Sequence, residues 1–217
     1  MPRKTDKRIR LIEAAKVLIH QQGFNLTTLA DIAQEADVPL GNVYYYFKTK
    51  EAIGIAVIEK RAAEWSERLA SWSEISDPLA RLVSMVRYGL EDLEITARFG
   101  CPVGGLCQEL GKQGGALSDL AAKLLYDVLK WSEEQFRALG VEEPRAANHA
   151  LHTLSGMQGM FLLTHTFKDP KIAQRQCDEL QSWLEGIAKR KVEMPAVREE
   201  AVAHASSRVM QEEAFAE

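Results

Sequence analysis

Residues 27–53, with the sequence TTLADIAQEADVPLGNVYYYFKTKEAI, contain two short helical segments joined by a tight turn. Thr27 or Thr28 can cap the first segment, because a threonine hydroxyl accepts a hydrogen bond from a free amide at a helix start. Apolar residues recur in this segment at helical spacing, at Leu29, Ile32, Ala33 and Ala36. Residues 37–39 interrupt the pattern, and the proline among them suits the first turn of the second segment.

The second segment has one packing face and one free face. Val43 and Phe47 lie one turn apart and can bury the helix. The residues left pointing outward are Leu40, Gly41, Asn42, Tyr45 and Tyr46. Tyrosine hydroxyls can donate to phosphate oxygens, and the missing side chain of Gly41 lets the helix backbone approach DNA closely. The pattern predicts a helix-turn-helix whose second helix enters the major groove.

This stretch resembles the DNA-binding domain of the TetR/AcrR family of transcriptional regulators. The matching features are Thr27-Thr28, Asp31-Ile32-Ala33, Val38, Gly41, Val43-Tyr44-Tyr45-Tyr46-Phe47 and Lys48-Thr49-Lys50-Glu51. Their order and spacing match without a gap, and the resemblance covers residues 8–55 closely. The family's remaining, variable part is a helical domain that binds a ligand and forms the dimer, and the rest of this chain is consistent with that.

The resemblance implies roles for individual residues. Phosphate contacts are implied for Thr27, Thr28, Tyr45, Tyr46 and Lys50. Contacts near the bases are implied for Leu40, Gly41, Asn42 and Tyr44. Leu40 departs from the polar or basic residue often found at this place in relatives, so base recognition would depend on Asn42 and on DNA shape. Tyr44 has a second interpretation, which is packing against the first helix.

Charge is distributed unevenly along the chain. The 217 residues carry a net charge of −4, but residues 1–61 hold ten Lys and Arg against seven Asp and Glu. Such asymmetry suggests that one end meets a polyanion. The basic residues ahead of the motif are Arg3, Lys4, Lys7, Arg8 and Arg10. They form either an arm that contacts phosphates or the minor groove, or a solvated, disordered arm.

Helical periodicity continues through the rest of the chain and predicts an all-α fold. We expect a DNA-binding domain over 1–49, a ligand-binding and dimerisation domain over 50–191, and an acidic tail over 192–217 that is disordered or forms a short extra helix. The expected helices cover 50–72, 78–99, 106–112, 118–139, 144–167 and 170–191, with an irregular loop over 100–105. No run of about 18 apolar residues and no secretory signal are visible, and the three cysteines form no disulfide framework, so we expect a cytoplasmic protein.

Two kinds of trigger are conceivable for the second domain. Aromatic and sulfur-containing residues on its long helices can line an apolar cavity for a ligand, with Trp65, Trp131, Met157 and Phe161 as the candidates. Alternatively, Cys101 and Cys107 can sense oxidants or electrophiles if a neighbouring cation such as Arg98 lowers a thiol pKa. Their GCPxG loop is similar to one in a branch of TetR-type regulators, although buried packing is the simpler interpretation of both cysteines.

The sequence therefore predicts a homodimeric repressor that binds a palindromic operator in double-stranded DNA and is released by a small-molecule inducer. A redox-sensing repressor is the second hypothesis, and a helical enzyme or scaffold is the third. No catalytic constellation, cofactor motif or metal-ligand set is visible, so we expect no enzyme activity, cofactor or metal. A seam with a period near 3.5 in the last helix, at Ala173, Cys177, Leu180, Leu184 and Ile187, is expected in the dimer interface.

Overall fold

The structure is a computed structural model that describes residues 4–189, with side chains from Asp6 onward. Its helices are α1 (Lys4–Gln22), α2 (Leu29–Glu35), α3 (Leu40–Tyr46), α4 (Lys50–Ser73), α5 (Pro78–Tyr88), α6 (Leu93–Phe99), α7 (Pro102–Gly111), α8 (Ala116–Ala138) and α9 (Arg145–Phe167). A further helix, α10, runs over 170–189 to the end of the described part. Within residues 4–189 the chain forms helices joined by turns and short loops, without a strand, which confirms the all-α prediction. The predicted acidic tail lies outside them.

The prediction of one helix over 78–99 is wrong, because the chain breaks into α5 and α6. Gly89 is buried, and a Cβ atom there would come within 2.5 Å of Met160 Cε and 3.3 Å of Phe161 Cζ. The break therefore lies where side chains of α9 come close to the backbone. Asp92 then adopts a left-handed conformation with φ of 54° just before α6 begins.

The expected loop over 100–105 is also wrong, since α7 begins at Pro102. Gly100 has a φ of 78°, and Cys101 caps the new helix by accepting a hydrogen bond from the Gly104 amide at 3.2 Å. Proline fits the first helical position because it has no amide hydrogen to satisfy. A thiol thus takes the capping role that the sequence pattern assigned to no residue.

Two apolar clusters hold the described helices together. The first joins α1, α2, α3 and the first half of α4 to α7 and to the start of α8. The second joins α5, the rest of α8, α9 and α10. Trp65 on α4 packs against both clusters. The helices of the DNA-binding motif therefore share a core with α7 and α8, which belong to the second half of the chain.

The seam of α10 packs inside the chain. Its members are 0 to 8% exposed, at Ala173, Cys177, Leu180, Leu184 and Ile187. The Cys177 thiol lies 3.7 Å from the Val86 carbonyl oxygen, and Leu180 packs against Gly156. The expectation that this seam faces a second copy is wrong, because α5 and α9 already cover it.

Candidate DNA-binding surface and sensor region

Thr28 begins α2 as the sequence predicts. Its hydroxyl accepts a hydrogen bond from the Asp31 amide at 3.1 Å, and the Asp31 carboxylate accepts one from the Thr28 amide at 2.8 Å. This reciprocal arrangement is a capping box. The Thr28 hydroxyl also donates to the carboxylate, and these bonds hold the pKa of Asp31 below its ordinary value. The start of α2 is therefore well defined on the surface.

The turn between α2 and α3 is held by α1. Asp37 takes a left-handed conformation with φ of 48°. The Arg10 guanidinium donates to the carbonyl oxygens of Ala36 and Asp37 and lies 3.1 Å from the Asp37 carboxylate. Arg10 thus stabilises the turn, and the expectation that it belongs to a DNA-contacting arm does not agree with this placement.

The other basic residues near the N-terminus fall into two groups, those with described side chains and those without. Lys7 and Arg8 lie on α1, and the Arg8 guanidinium lies 5.4 Å from the centre of the Phe47 ring. Arg3 and the side chain of Lys4 lie outside the described residues. Since α1 begins at Lys4, the described part of the predicted arm is helical.

Helix α3 presents the predicted face to solvent. Val43 and Phe47 are buried, while Leu40 is 42%, Tyr44 49% and Tyr45 64% exposed. Gly41 is exposed, and a Cβ atom added there would meet no atom within 4 Å. The exposure of Tyr44 argues against the alternative that it packs into α1. The burial pattern leaves a continuous outer face on a helix that is fixed from behind.

Two further candidate DNA-contacting residues on α3, Asn42 and Tyr46, are half-buried. The Tyr46 ring meets the Tyr45 ring edge to face, with centroids 5.0 Å apart. This packing limits the freedom of both rings and places the two phenol groups side by side.

Thr27 and Lys50, which we expected to contact phosphates, make contacts within the protein instead. Thr27 is 1% exposed, and its hydroxyl donates to the Gly23 carbonyl oxygen at 2.7 Å. Direct contact between its side chain and a phosphate does not agree with that burial. The Lys50 ammonium donates to the Asn25 carbonyl oxygen at 2.8 Å and lies 4.8 Å from the centre of the Phe24 ring. Both residues hold the loop between α1 and α2.

The four predicted ligand contacts meet at the second cluster. Trp131 and Met157 are buried within it, and Trp65 and Phe161 pack against it. Trp65 reaches Trp131 through Trp72, with centroid separations of 6.3 and 5.8 Å. The structure therefore brings the four residues to one core.

Trp65, Trp72 and Trp131 form an aromatic network, and this network has a fourth member that the sequence pattern did not indicate. Tyr88, at the end of α5, lies 5.3 Å from Trp65 and 5.9 Å from Trp72, measured between ring centroids. The Arg68 guanidinium covers its ring at 4.2 Å. Trp65, Trp72 and Tyr88 are each half-buried, so solvent reaches part of the network. Its position at a helix end facing α4 follows from packing and has no local sequence signal.

The surroundings of Cys101 and Cys107 do not activate either thiol. Burial raises the pKa of Cys101, although the Gly104 amide and the nearby charge of Arg61 act in the opposite direction. Burial, together with the charge of Cys101, raises the pKa of Cys107 to about 11. The Cys107 thiol lies 3.2 Å from the Ala121 carbonyl oxygen. A thiol must ionise before it acts as a nucleophile, so these surroundings oppose reactivity.

An open groove lies elsewhere, between α9 and α10. It has a volume of about 620 Å³, and the residues that line it include Gly156, Gly159, Met160, Leu163, Ile172 and Arg175. Apolar side chains nearby on α9 are unusually exposed, at Leu151, Leu162, Leu163 and Phe167. Within residues 4–189, no three metal-ligating side chains gather, and no helix is long and apolar enough to cross a membrane.

The chain resembles known regulators in sequence and in fold. The model for bacterial regulatory proteins of the tetR family matches residues 11–57. An uncharacterised HTH-type transcriptional regulator from the lacX 3' region of Lactococcus lactis is 28% identical over 187 residues, which covers 83% of this chain and 94% of that protein. The HTH-type transcriptional repressor NemR of Escherichia coli is 38% identical over 64 residues, 30% of this chain and 32% of NemR.

A solved structure extends the likeness over most of the chain. The TetR transcriptional regulator from Legionella pneumophila has a TM-score of 0.75 and 18% identity, and the match covers 84% of this chain and 97% of that one. At this identity the likeness concerns the fold. The matched residues 11–57 contain the capped α2, the Arg10-stabilised turn and the exposed face of α3. Residues 11–57 thus match the tetR family of bacterial regulatory proteins, and the chain is similar to HTH-type transcriptional regulators along most of its length.

Proposed function

We propose that the chain is a repressor that binds a palindromic operator as a homodimer and leaves it when a small molecule binds the C-terminal helices. The observation that carries the DNA-binding part is the outer face of α3, exposed at Leu40, Tyr44 and Tyr45 above the buried Val43 and Phe47. A helix fixed from behind can enter the major groove without rearranging. A protein that acts on bacterial DNA works in the cytoplasm.

The proposal of a dimer is supported by the apolar side chains exposed on the outer face of α9. Leu151, Leu162 and Phe167 are between 53 and 64% exposed, although each is a large apolar side chain. Gly159 lies between them, and a Cβ atom there would meet nothing within 4 Å. Exposed apolar stripes with small residues let two helices approach closely, and burying them removes apolar area from water. A second copy of this chain is the occupant we propose, with the groove beside α10 at the edge of the contact.

The aromatic network supports a non-covalent, mostly apolar inducer. Trp65, Trp72 and Tyr88 are partly open to solvent, whereas Trp131 and Met157 are buried in the cluster against which Trp65 and Trp72 pack. Aromatic residues from several helices commonly line such ligand sites. The raised pKa of Cys101 and Cys107 gives the redox hypothesis less support than the ligand hypothesis.

We also propose that the chain divides near residues 49 and 50, where Thr49 caps α4. The DNA-reading helices α1, α2 and α3 precede this point, and α4 leads from them to the aromatic network. A ligand that favours one position of α4 would change the separation of the two DNA-reading helices in a dimer. The linkage is a two-state equilibrium in which the ligand favours the state that fits DNA poorly.

The function is tested with Gly41→Ala in the full chain. Alanine stabilises a helix by up to about 1 kcal/mol relative to glycine, and no described atom lies within 4 Å of the added methyl group. We expect a higher midpoint of thermal unfolding together with weaker binding to an operator selected from a pool of random DNA duplexes. That operator should be an inverted repeat that binds two chains.

Gly105→Ala is the matched control, because Gly105 is also helical and a Cβ atom there also meets nothing within 4 Å. It should raise stability and leave DNA affinity unchanged. Failure of the wild type to enrich any duplex would overturn the proposed function. Equal DNA affinity for Gly41→Ala and the wild type would show that α3 does not approach DNA at this residue.

A further inference from the structure

The loop between α1 and α2 is held by a carboxylate from the second half of the chain. Glu109 on α7 accepts hydrogen bonds from the backbone amides of Phe24 at 2.7 Å and Asn25 at 2.6 Å, one on each carboxylate oxygen. These amides lie 84 and 85 residues before Glu109. Hydrogen bonds to an ionised acceptor are among the stronger ones in proteins. The loop is thus fastened to α7.

Gly23 makes this approach possible. Its φ of +87° lies in the left-handed region, and a Cβ atom there would come within 2.9 Å of a Glu109 carboxylate oxygen. A side chain at this position would be strained and would also collide with the carboxylate. The glycine that ends α1 therefore serves the contact with α7 as well as the turn.

Asn25 is held on every side. Its amide donates to Glu109, its side-chain oxygen accepts from Gln113 at 2.8 Å, and its carbonyl oxygen accepts from Lys50 at 2.8 Å. Thr28, three residues later, begins α2 through its capping box. The positions of α2 and of the α3 helix that follows it thus depend on this loop.

The other end of α7 is also tied to α1. The His20 ring nitrogen Nε2 lies 2.9 Å from the Gly100 carbonyl oxygen, just before α7 begins. Helix α7 also packs on α8, where Val103, Leu106 and Leu110 share a cluster with Ala121 and Leu124. Helix α7 therefore lies between the DNA-reading helices and α8, with polar contacts to the former at both ends.

We infer that Glu109 is a positioning residue for DNA binding, which fixes the α1–α2 loop and thereby sets the orientation of α3 from helix α7. The inference rests on one part of the proposed function, namely that α3 contacts DNA. Without the carboxylate, two backbone amides lose their partners and the loop samples more conformations. Operator binding must then order the loop again, which weakens affinity.

Because Glu109 is negatively charged, the direction in which its substitution changes DNA affinity distinguishes two roles. Removing one negative charge from a DNA-binding protein strengthens its attraction to phosphates. A purely electrostatic role therefore predicts tighter binding for Glu109→Gln, whereas a positioning role predicts weaker binding. Glutamine has nearly the same shape, but it offers one acceptor oxygen and places an amide donor opposite a backbone amide.

The test compares Glu109→Gln with Glu94→Gln in the full chain. Glu94 is an exposed residue of α6, so its variant loses the same charge away from the loop. The readouts are the dissociation constant for the selected operator at fixed salt and hydrogen exchange of the Phe24 and Asn25 amides. We expect about tenfold weaker binding and faster exchange for Glu109→Gln. Glu94→Gln should bind as tightly as the wild type, or slightly tighter.

Gln113→Ala removes only the bond to the Asn25 side chain and should give a smaller change in the same direction. Unchanged or tighter operator binding by Glu109→Gln would overturn the inference, even if the two amides exchange faster, because the contact would then be structural only. Unchanged exchange of both amides would overturn it as well. A wild-type chain that binds no operator would instead refute the proposed function, and the exchange comparison would still measure the contact.

Discussion

The side chain of His20 and the backbone of Gly100, eighty residues apart, meet at 2.9 Å between ring nitrogen Nε2 and carbonyl oxygen. The carbonyl can only accept, so Nε2 carries a hydrogen in this contact. The Phe99 ring packs edge-on against His20, with centroids 5.8 Å apart. Because α1 belongs to the DNA-reading helices and Gly100 precedes α7, this contact joins two parts of the chain that no local pattern connects.

The first prediction concerns pH. Burial lowers the pKa of His20, and the neighbouring charges of Arg61 and His165 act in the same direction, while the bond to Gly100 opposes them. The folded state therefore takes up a proton at lower pH than the unfolded chain, whose histidine titrates near 6.5. The contribution to stability is complete above that pH and is lost as the pH falls below it.

We therefore expect the free energy of unfolding in urea to fall between pH 7 and pH 5.5 more steeply for the wild type than for His20→Gln. Glutamine keeps a hydrogen-bond donor for Gly100 but does not titrate. The difference between the two profiles isolates His20 from the other histidines. Parallel profiles would contradict the assignment.

The second prediction concerns the tyrosines of α3. Tyr45→Phe and Tyr46→Phe should each weaken operator binding by about 1–3 kcal/mol, because each removes the hydroxyl that we expect to donate to a charged phosphate. Thermal unfolding should change little for Tyr45→Phe, since that ring is 64% exposed. Tyr126→Phe on α8 is the control, as its ring is also exposed, at 55%, but lies far along the chain from the motif. Unchanged affinity for both α3 variants would remove the phosphate assignment.

The third prediction concerns the dimer. Leu162→Glu places a charge on the exposed face of α9 and should dissociate the dimer while leaving the chain folded, because Leu162 is 53% exposed in the single chain. Leu120→Glu on α8, where the leucine is 39% exposed, should leave the dimer intact. Sedimentation at micromolar concentration, with circular dichroism as the folding check, measures both. A wild type that sediments as a monomer would end the dimer proposal.

The fourth prediction concerns the cysteines. With the pKa of Cys107 near 11 and that of Cys101 raised by burial, both thiols should react slowly with a disulfide reagent at pH 7 and rapidly after unfolding. Cys101→Ser/Cys107→Ser should keep operator release by the inducer, once a ligand screen followed by tryptophan fluorescence has identified it. Loss of release with intact folding and DNA binding would favour the covalent-sensor hypothesis instead.

The fifth prediction concerns a buried cation. Arg61 is 8% exposed, its terminal nitrogen donates to the Lys16 carbonyl oxygen at 3.2 Å, and its Nε finds no hydrogen-bond partner among the described residues. Burial accordingly lowers its pKa. Since desolvation outweighs the attraction of Glu64 and Glu13 for this guanidinium, Arg61→Met should raise the midpoint of thermal unfolding by a few degrees.

Arg68→Met is the matched control on the same helix. Arg68 covers the Tyr88 ring and pairs with Glu91 at 3.5 Å, so its loss should lower stability slightly. A lower midpoint for Arg61→Met would mean that attraction to nearby carboxylates outweighs the cost of burial.

Local features of the sequence were sufficient for most helices. The start of α4 at Lys50 and its end at Ser73 agree with the predicted 50–72, because a threonine cap and an apolar stripe both act within a few residues. The exposed face of α3 was predictable for the same reason, as Val43 and Phe47 define its buried side. Capping, helical periodicity and turn chemistry operate over one or two helical turns, and a single sequence shows them directly.

The tertiary structure alone decided the features that join distant residues. The Met160 side chain reaches Gly89 at the break between α5 and α6, and the burial of the α10 seam depends on α5 and α9 covering it. Thr27 faces inward, and Glu109 holds a loop 84 residues away. Each depends on which surfaces meet after the helices pack. Apolar stripes specify that a face must be buried but not which partner buries it, because the hydrophobic effect has no direction.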